Sequence, residues 1–265
     1  MAELETRAGG MKYAEFGSGE PLILLHATLH DRHDFDAVIP ALAKNNRVIA
    51  IDWPGHGESA PVSEDTSLNA PLLADLLADA VDSLGLERVS LIGNSVGGFA
   101  AAHIAATQPD RVSSLVLVNS GGFTKMNVVS KSFCAAMGTP RINRAIMPLF
   151  IRSYMKSQSD SDQRVARAAL TRARTDAGTR TAAALWKSFA DPRHDLTTLA
   201  GRITAPTLIV WGNKDTAIPL RDGKRAESLI PGARLETLPT GHVAFSSQPE
   251  EFLSLVEPFL SRSKR

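Results

Sequence analysis

Short apolar runs alternate with longer amphipathic stretches along most of this chain. The runs are continuous rather than alternating, which is typical of strands buried on both faces of a parallel sheet. They lie at residues 21–26, 47–52, 89–92, 112–118, 206–212 and 234–238. Apolar residues at helical spacing follow most of these runs, at residues 38–44, 72–84, 98–106, 220–230 and 250–260. This alternation predicts an α/β protein whose sheet is mostly parallel and doubly wound.

One long segment, residues 121–200, interrupts the alternation between two predicted strands. It shows no strand pattern, and its residues 163–174 and 181–189 have helical spacing. Because the segment follows a strand, it must project from the carboxyl edge of the sheet. We interpret it as a helical cap over a site at that edge. The predicted division is a core of residues 1–120 and 201–265, and a cap of residues 121–200.

The charge of the chain is distributed unequally between these two parts. The 265 residues carry a formal net charge of +1, which gives no indication of a nucleic-acid partner. The predicted cap, however, has 13 Lys and Arg against 5 Asp and Glu, and the remainder has 16 against 23. One interpretation is that the cap attracts a carboxylate-bearing small-molecule substrate, with Arg180 and Arg193 as the predicted anion contacts. The alternative is that the arginines of residues 164–174 form a solvated helix face.

Composition also bears on where the protein works. The single cysteine, Cys134, excludes an internal disulfide and is typical of a reducing compartment. The first residues lack the basic start and the apolar stretch of a signal peptide. No apolar window approaches the length of a membrane-spanning helix. We therefore expect a cytoplasmic protein without membrane contact, while the sequence leaves its oligomeric state open.

Residues 93–97 read Gly-Asn-Ser-Val-Gly and lie between the apolar run 89–92 and a predicted helix. A G-x-S-x-G sequence that joins a strand to a helix is the pattern of a nucleophile elbow. Its glycines allow a turn so tight that side chains at those positions would collide with neighbouring backbone, and its serine occupies a strained conformation. The pattern predicts that Ser95 is a nucleophile.

A serine nucleophile needs a base within hydrogen-bond reach, and that base needs an acid to orient it. In a parallel sheet both must come from loops at the carboxyl edge. Asp215 follows the run 206–212, and His242 follows the run 234–238. The chain order Ser, Asp, His is the one that accompanies this elbow. Asp215 and His242 are therefore the predicted acid and base, ahead of His26, which precedes the elbow.

Several motifs together resemble those of the α/β-hydrolase superfamily, and the resemblance extends over nearly the whole chain. They are Leu24-Leu25-His26, the loop of residues 52–59 (Asp-Trp-Pro-Gly-His-Gly-Glu-Ser), the elbow of residues 93–98, Trp211-Gly212-Asn213-Lys214-Asp215 and Gly241-His242. The chain is most similar to helical-capped serine hydrolases, which include small esterases, carbon–carbon bond hydrolases and cofactor-free perhydrolases.

This resemblance implies an α/β-hydrolase fold with the cap inserted after the sixth strand. It implies an oxyanion hole formed by the backbone N–H groups of Thr28 and Val96, with no cofactor and no metal. The chain departs from the family at Ala27, where glycine is usual, and at Val243, where carbon–carbon hydrolases carry an aromatic residue. Epoxide hydrolases and dehalogenases of this fold use aspartate as nucleophile, so Ser95 argues against both.

We expect a serine hydrolase that cleaves a small carboxylic ester, lactone or thioester. The alternative within the family is a carbon–carbon bond hydrolase acting on a diketone or a vinylogous diketo acid. An alternative of another class is a ligand receptor or binding module on a hydrolase fold. Placement after a strand or in the cap predicts the substrate pocket, whose expected lining is Leu29, Val96, Phe123, Trp186, Ile218, Val243 and Phe245.

Overall fold

A computed structural model describes residues 2–63 and 66–263 of the chain. Eight strands of these residues form a single sheet in the order β1-β2-β4-β3-β5-β6-β7-β8. All neighbours from β4 to β8 are parallel, whereas β1 and β2 pair in antiparallel fashion at one edge. The strands are β1 Ala2–Leu4, β2 Met11–Phe16, β3 Glu20–Leu25, β4 Asn46–Ile51, β5 Val89–Asn94, β6 Val112–Val118, β7 Thr207–Gly212 and β8 Arg234–Leu238.

The predicted mostly parallel sheet is confirmed, and it is flanked by helices on both faces. Along β3, Ile23 and Leu25 pack into one hydrophobic cluster, and Leu22 and Leu24 pack into a second. Residues that alternate between two clusters show that both faces of the strand are buried, which explains its continuous apolar sequence. The helices are α1 Ile39–Leu42, α2 Ala70–Ser83, α3 Val96–Thr107, α4 Val128–Met137, α5 Pro140–Met155, α6 Asp160–Ala173, α7 Asp176–Ser188, α8 Leu220–Leu229, α9 Ala244–Ser247 and α10 Pro249–Arg262.

Four helices, α4 to α7, lie between β6 and β7, and they are called the helical segment below (residues 128–188). Three of these helices are capped at their N-termini by a side chain. The side chains of Asn127, Ser159 and Thr175 accept hydrogen bonds from the first turns of α4, α6 and α7. Only α6 and α7 were predicted from sequence. None of the described helices combines the length and apolar character needed to cross a membrane.

Candidate active site

The turn between β5 and α3 forces Ser95 into an unusual backbone conformation. Its φ is 56° and its ψ is −117°, between a strand that ends at Asn94 and a helix that begins at Val96. A Cβ on Gly93 would overlap the backbone of Gly97, and one on Gly97 would overlap the carbonyl of Leu25. Both glycines are therefore required by close backbone approach, and the serine is presented at the N-terminus of α3.

His242 and Asp215 meet at the carboxyl edge of the sheet, in loops that follow β8 and β7. His242 Nδ1 lies 2.6 Å from Asp215 Oδ2, and both side chains are buried. The backbone N–H of Ala217 donates to the other carboxylate oxygen over 2.7 Å. Because an ionised carboxylate only accepts hydrogen bonds, Nδ1 of His242 carries the proton and Nε2 is the nitrogen available to a reacting group.

Ser95 and His242 contribute to the wall of one cavity of about 180 Å³, which lies between the sheet edge and the helical segment. Its remaining wall is mainly aromatic and aliphatic, and it includes a cluster of rings from the helical segment. Trp186 lies 5.5 Å from both Phe133 and Phe150, measured between ring centroids. The other lining residues are Ala27, Thr28, Val96, Gly121, Thr124, Met126, Ser130, Cys134, Met147, Tyr154, Phe189, His194, Ala217 and Ile218.

The structure brings part of the predicted pocket together and leaves part of it elsewhere. Val96, Trp186 and Ile218 line the cavity, as does Thr28. The prediction fails for four residues that are fully buried in the hydrophobic clusters and do not line the cavity: Leu29, Phe123, Val243 and Phe245. Phe245 shows the reason, since its ring stacks on Phe35 with centroids 4.2 Å apart. A position directly after a strand places a residue at the carboxyl edge of the sheet. Whether that residue lines the cavity or packs in the core depends on the direction of its side chain.

The two predicted anion contacts also lie outside the cavity. Arg180 and Arg193 are exposed, and Arg193 pairs with Asp191 at 2.7 Å. Desolvating an arginine without a partner is costly, so these side chains remain in water. No Asp, Glu, Lys or Arg lines the cavity among the residues that the structure describes.

His26 supports the loop that carries Thr28 and does not line the cavity. Its Nδ1 lies 2.7 Å from Ala27 O, and its Nε2 accepts from the backbone N–H of Trp53 at 3.0 Å. Burial lowers the pKa of His26 to about 3, so its ring is neutral near pH 7. The neutral ring fits this geometry because one nitrogen donates and the other accepts.

Three residues that support or line the site stand out among those not predicted from sequence. Asn119 donates to Asp215 Oδ2 over 2.7 Å, and the carbonyl of Tyr154 accepts from the backbone N–H of His242 over 2.9 Å. His194 lies between the rings of Phe99 and Phe189, and its Nε2 is shielded from solvent without a hydrogen-bond partner. Asn119 directly follows a predicted strand, so its position at the carboxyl edge could have been predicted from topology. Tyr154 and His194 lie in or beside the helical segment, where the sequence contains no motif that indicates a role in the site.

The described residues, 2–63 and 66–263, offer no evident set of metal ligands. No group of three or more His, Cys, Asp or Glu side chains among them is arranged to hold an ion. The chemistry that the geometry offers is that of a hydroxyl, an imidazole and a carboxylate.

The chain belongs to the alpha/beta hydrolase fold family, whose model matches residues 20–249. It is 32% identical over 241 residues to a 2-hydroxy-6-oxononadienedioate/2-hydroxy-6-oxononatrienedioate hydrolase of Cupriavidus pinatubonensis, with 84% of this chain and 79% of that protein covered. It is 28% identical over 249 residues to a pimeloyl-[acyl-carrier protein] methyl ester esterase of Neisseria meningitidis, with 89% and 92% covered.

Solved structures agree with this assignment. A thermophilic esterase from Thermogutta terrifontis superposes with a TM-score of 0.84 at 23% identity, and the match covers 99% of this chain and 98% of the esterase. At this level of identity the match concerns the fold. The predicted α/β-hydrolase fold and superfamily are thus confirmed, and relatives that are esterases and hydrolases support a hydrolase.

Proposed function

We propose that this protein is a serine hydrolase that cleaves a small carboxylic ester, lactone or thioester through an acyl-enzyme on Ser95. The observation that carries the proposal is the shared cavity of Ser95 and His242, together with the 2.6 Å contact between His242 Nδ1 and Asp215. A strained serine at a helix N-terminus, a histidine and a buried carboxylate form the constellation used for acyl transfer.

In the proposed reaction Ser95 Oγ attacks the substrate carbonyl while His242 Nε2 takes the hydroxyl proton. His242 then gives that proton to the leaving alcohol or thiol, and the acyl group stays on Ser95. Asp215 orients the imidazole and stabilises its protonated form. The N–H groups of Thr28 and Val96 are the proposed donors to the oxyanion, and both residues line the cavity. A water activated by His242 releases the acid.

The cavity wall favours a substrate whose bound part is uncharged. Aromatic and aliphatic side chains make up most of the wall, and no Asp, Glu, Lys or Arg contributes to it among the described residues. A carboxylate inside this cavity would lose its hydration without gaining an ionic partner, which is costly. We therefore propose a neutral ester with an apolar acyl or alkoxy group, and the carboxylate-bearing substrate predicted from the basic segment loses its support.

Carbon–carbon bond cleavage is the second candidate, because the relative from Cupriavidus pinatubonensis is a hydrolase of an oxo-dienedioate. The same serine and histidine would serve both reactions, so substrates must decide between them. A vinylogous diketo acid and an activated ester of similar size would be offered under identical conditions. Faster cleavage of the diketo acid would select the second candidate.

The test of the first candidate measures turnover of an activated acetate ester together with labelling by an organophosphonate. We expect multiple turnovers and one label per chain on Ser95. The Ser95→Ala variant should lose about a millionfold in kcat, by analogy with serine proteases, and keep its melting temperature. Undiminished hydrolysis by a folded Ser95→Ala protein would overturn the proposed nucleophile. Binding without turnover in the wild type would favour a receptor or binding module.

A further inference from the structure

One arginine of the helical segment differs from its neighbours because it reaches the sheet edge. Arg172 on α6 is only 18% exposed in its side chain, while Arg164, Arg167 and Arg174 are exposed. Its guanidinium donates to the backbone carbonyl of Leu29 and pairs with the carboxylate of Asp31. The interpretation of these arginines as a solvated helix face is therefore right for Arg164, Arg167 and Arg174 and wrong for Arg172.

The loop that Arg172 contacts is the one that carries the N–H group of Thr28. We call residues 26–31 the β3 loop, since it follows that strand. Leu29 has a φ of 68°, in the left-handed region that a branched side chain rarely occupies. Such a conformation persists only where the surroundings enforce it. A charged donor on the carbonyl of Leu29 is one such restraint, directly beside Thr28.

Hydrogen bonds to the core restrain the two ends of the β3 loop, and both the core and the helical segment restrain its middle. At one end His26 bonds to Trp53, and just beyond the other end the N–H of Arg32 donates to Asp52 over 2.8 Å. In the middle, the side chain of Leu29 is buried in a hydrophobic cluster, and the N–H of His30 donates to the carbonyl of Ala27 over 3.2 Å. Residues 29–31 are also tied to the helical segment. Arg172 holds Leu29 and Asp31, and Tyr154 Oη lies 3.0 Å from His30 Nε2. The helical segment thus adds charged and polar restraints to the residues that directly follow Thr28.

Charge strengthens the contact to Asp31. Burial is the largest influence and by itself would raise the pKa of this carboxyl, but the charge and hydrogen bond of Arg172, together with contributions from His26 and the His33 N–H, outweigh burial and lower the pKa below its ordinary value. The ion pair is consequently formed at neutral pH, partly shielded from water and salt.

We propose that Arg172 is a positioning residue that fixes the β3 loop, so that seating of the helical segment places the Thr28 N–H for the oxyanion. This inference rests on the proposed acyl transfer. Displacing one oxyanion donor weakens transition-state stabilisation more than substrate binding. The signature is a fall in kcat per titrated active site at nearly constant KM, together with weaker binding of a transition-state analogue, which neither a smaller folded fraction nor a changed cavity shape would give.

The experiment compares Arg172→Met with Arg167→Met, which removes an exposed arginine from the same helix. For Arg172→Met we expect kcat on a soluble neutral ester to fall about 10- to 100-fold, less than the 10²–10³ of a deleted donor. KM should change less than about threefold, and inhibition by a boronic acid that mimics the tetrahedral intermediate should weaken in parallel with kcat. Arg172→Lys should restore part of the loss. Arg167→Met should match the wild type.

Hydrogen exchange of the β3 loop separates failure of this inference from failure of the proposed function. Amides of residues 27–31 should exchange faster in Arg172→Met and in Asp31→Asn than in Arg167→Met, whether or not any ester is cleaved. Equal protection in all three proteins would overturn the proposal that Arg172 fixes the β3 loop. Unchanged kcat in a folded Arg172→Met enzyme, or a rise in KM alone, would overturn the role in placing the oxyanion donor. If the wild type cleaved no ester while the exchange difference persisted, the proposed function would fail, and the restraint of the β3 loop by Arg172 would still hold.

Discussion

Asn119 donates a hydrogen bond of 2.7 Å to Asp215 Oδ2, the same oxygen that lies 2.6 Å from His242 Nδ1. Its own Oδ1 accepts from the backbone N–H of Gly212 over 2.8 Å, which ties the end of β6 to the end of β7. One amide therefore joins the two strands and supports the proposed acid of the site. The carboxylate of Asp215 thus accepts hydrogen bonds from Asn119, His242 and the backbone of Ala217, and these three donors fix its orientation.

We predict that Asn119→Ala lowers kcat about 10- to 100-fold, because a hydrogen bond to a charged group contributes about 1.5–3 kcal/mol. KM for a neutral ester should change little, since Asn119 does not line the cavity. Steady-state kinetics would measure both parameters. Ser113→Ala is the matched control, because it removes a side-chain hydrogen bond from the other end of β6. Equal kinetics in the two variants would contradict the supporting role of Asn119.

Strand-end topology made the pairing of Asp215 with His242 predictable, and it could have indicated Asn119 as well. The strands themselves were predictable because burial on both faces leaves a continuous apolar sequence. The antiparallel strand β2, which lies between the edge strand β1 and β4, was missed for the converse reason. Its sequence from Met11 to Phe16 mixes polar and apolar residues, since several of them are half-buried or exposed. An antiparallel strand that is only partly buried does not produce the continuous apolar sequence that identified the others.

The cavity wall was less predictable than the site residues. Whether a loop side chain faces the cavity depends on packing between parts of the chain that are far apart in sequence. The ring of Phe245 is buried in the core, where it stacks on Phe35. Trp186, on α7 of the helical segment, lines the cavity. The contact from Arg172 to Leu29 joins residues 143 positions apart, and no local pattern announces it.

Truncating the cavity wall should change which esters are preferred. We predict that Trp186→Ala raises kcat/KM for a longer or aryl acyl chain relative to acetate, because the ring occupies the aromatic end of the cavity. A series of p-nitrophenyl esters from acetate to decanoate would measure the shift. Phe245→Leu is the contrast, since its ring is in the core. That variant should keep the chain-length preference and lose about 1 kcal/mol or more of stability. A changed preference in Phe245→Leu would show that the cavity is wrongly placed.

Substrate charge should act against hydrolysis in this cavity. For a matched pair, a monoester of a dicarboxylic acid and its uncharged diester, we predict a higher kcat/KM for the diester at 0.5 M salt. The reason is the absence of Asp, Glu, Lys or Arg from the described lining. At low salt the basic helical segment should narrow the difference by steering anions, an effect that salt screens within about 8 Å at physiological strength. A salt-independent preference for the monoester would contradict this and would indicate a specific arginine contact.

Acid should destabilise the fold through His194. Burial, opposed by the nearby Asp195, lowers the pKa of His194 to about 4, while an unfolded histidine has an ordinary pKa of about 6.5. Between these values the unfolded chain binds the proton and the folded chain does not. The contribution of this histidine to stability is therefore complete above about pH 6.5 and is lost as pH falls toward 4. One proton corresponds to a slope of about 1.4 kcal/mol per pH unit.

The His194→Gln variant isolates this effect. Urea unfolding at several pH values should give a free energy of unfolding whose slope between pH 4.5 and 6 is shallower than in the wild type by about one proton. Other buried histidines remain in both proteins, including His26, whose pKa is lowered to about 3, so they cancel in the difference. A glutamine at this position also cannot gain a charge between Phe99 and Phe189, where a protonated imidazole would lie without a partner for Nε2. Equal slopes in the two proteins would mean that His194 is protonated alike in the folded and unfolded chains, and would contradict its burial as a neutral ring.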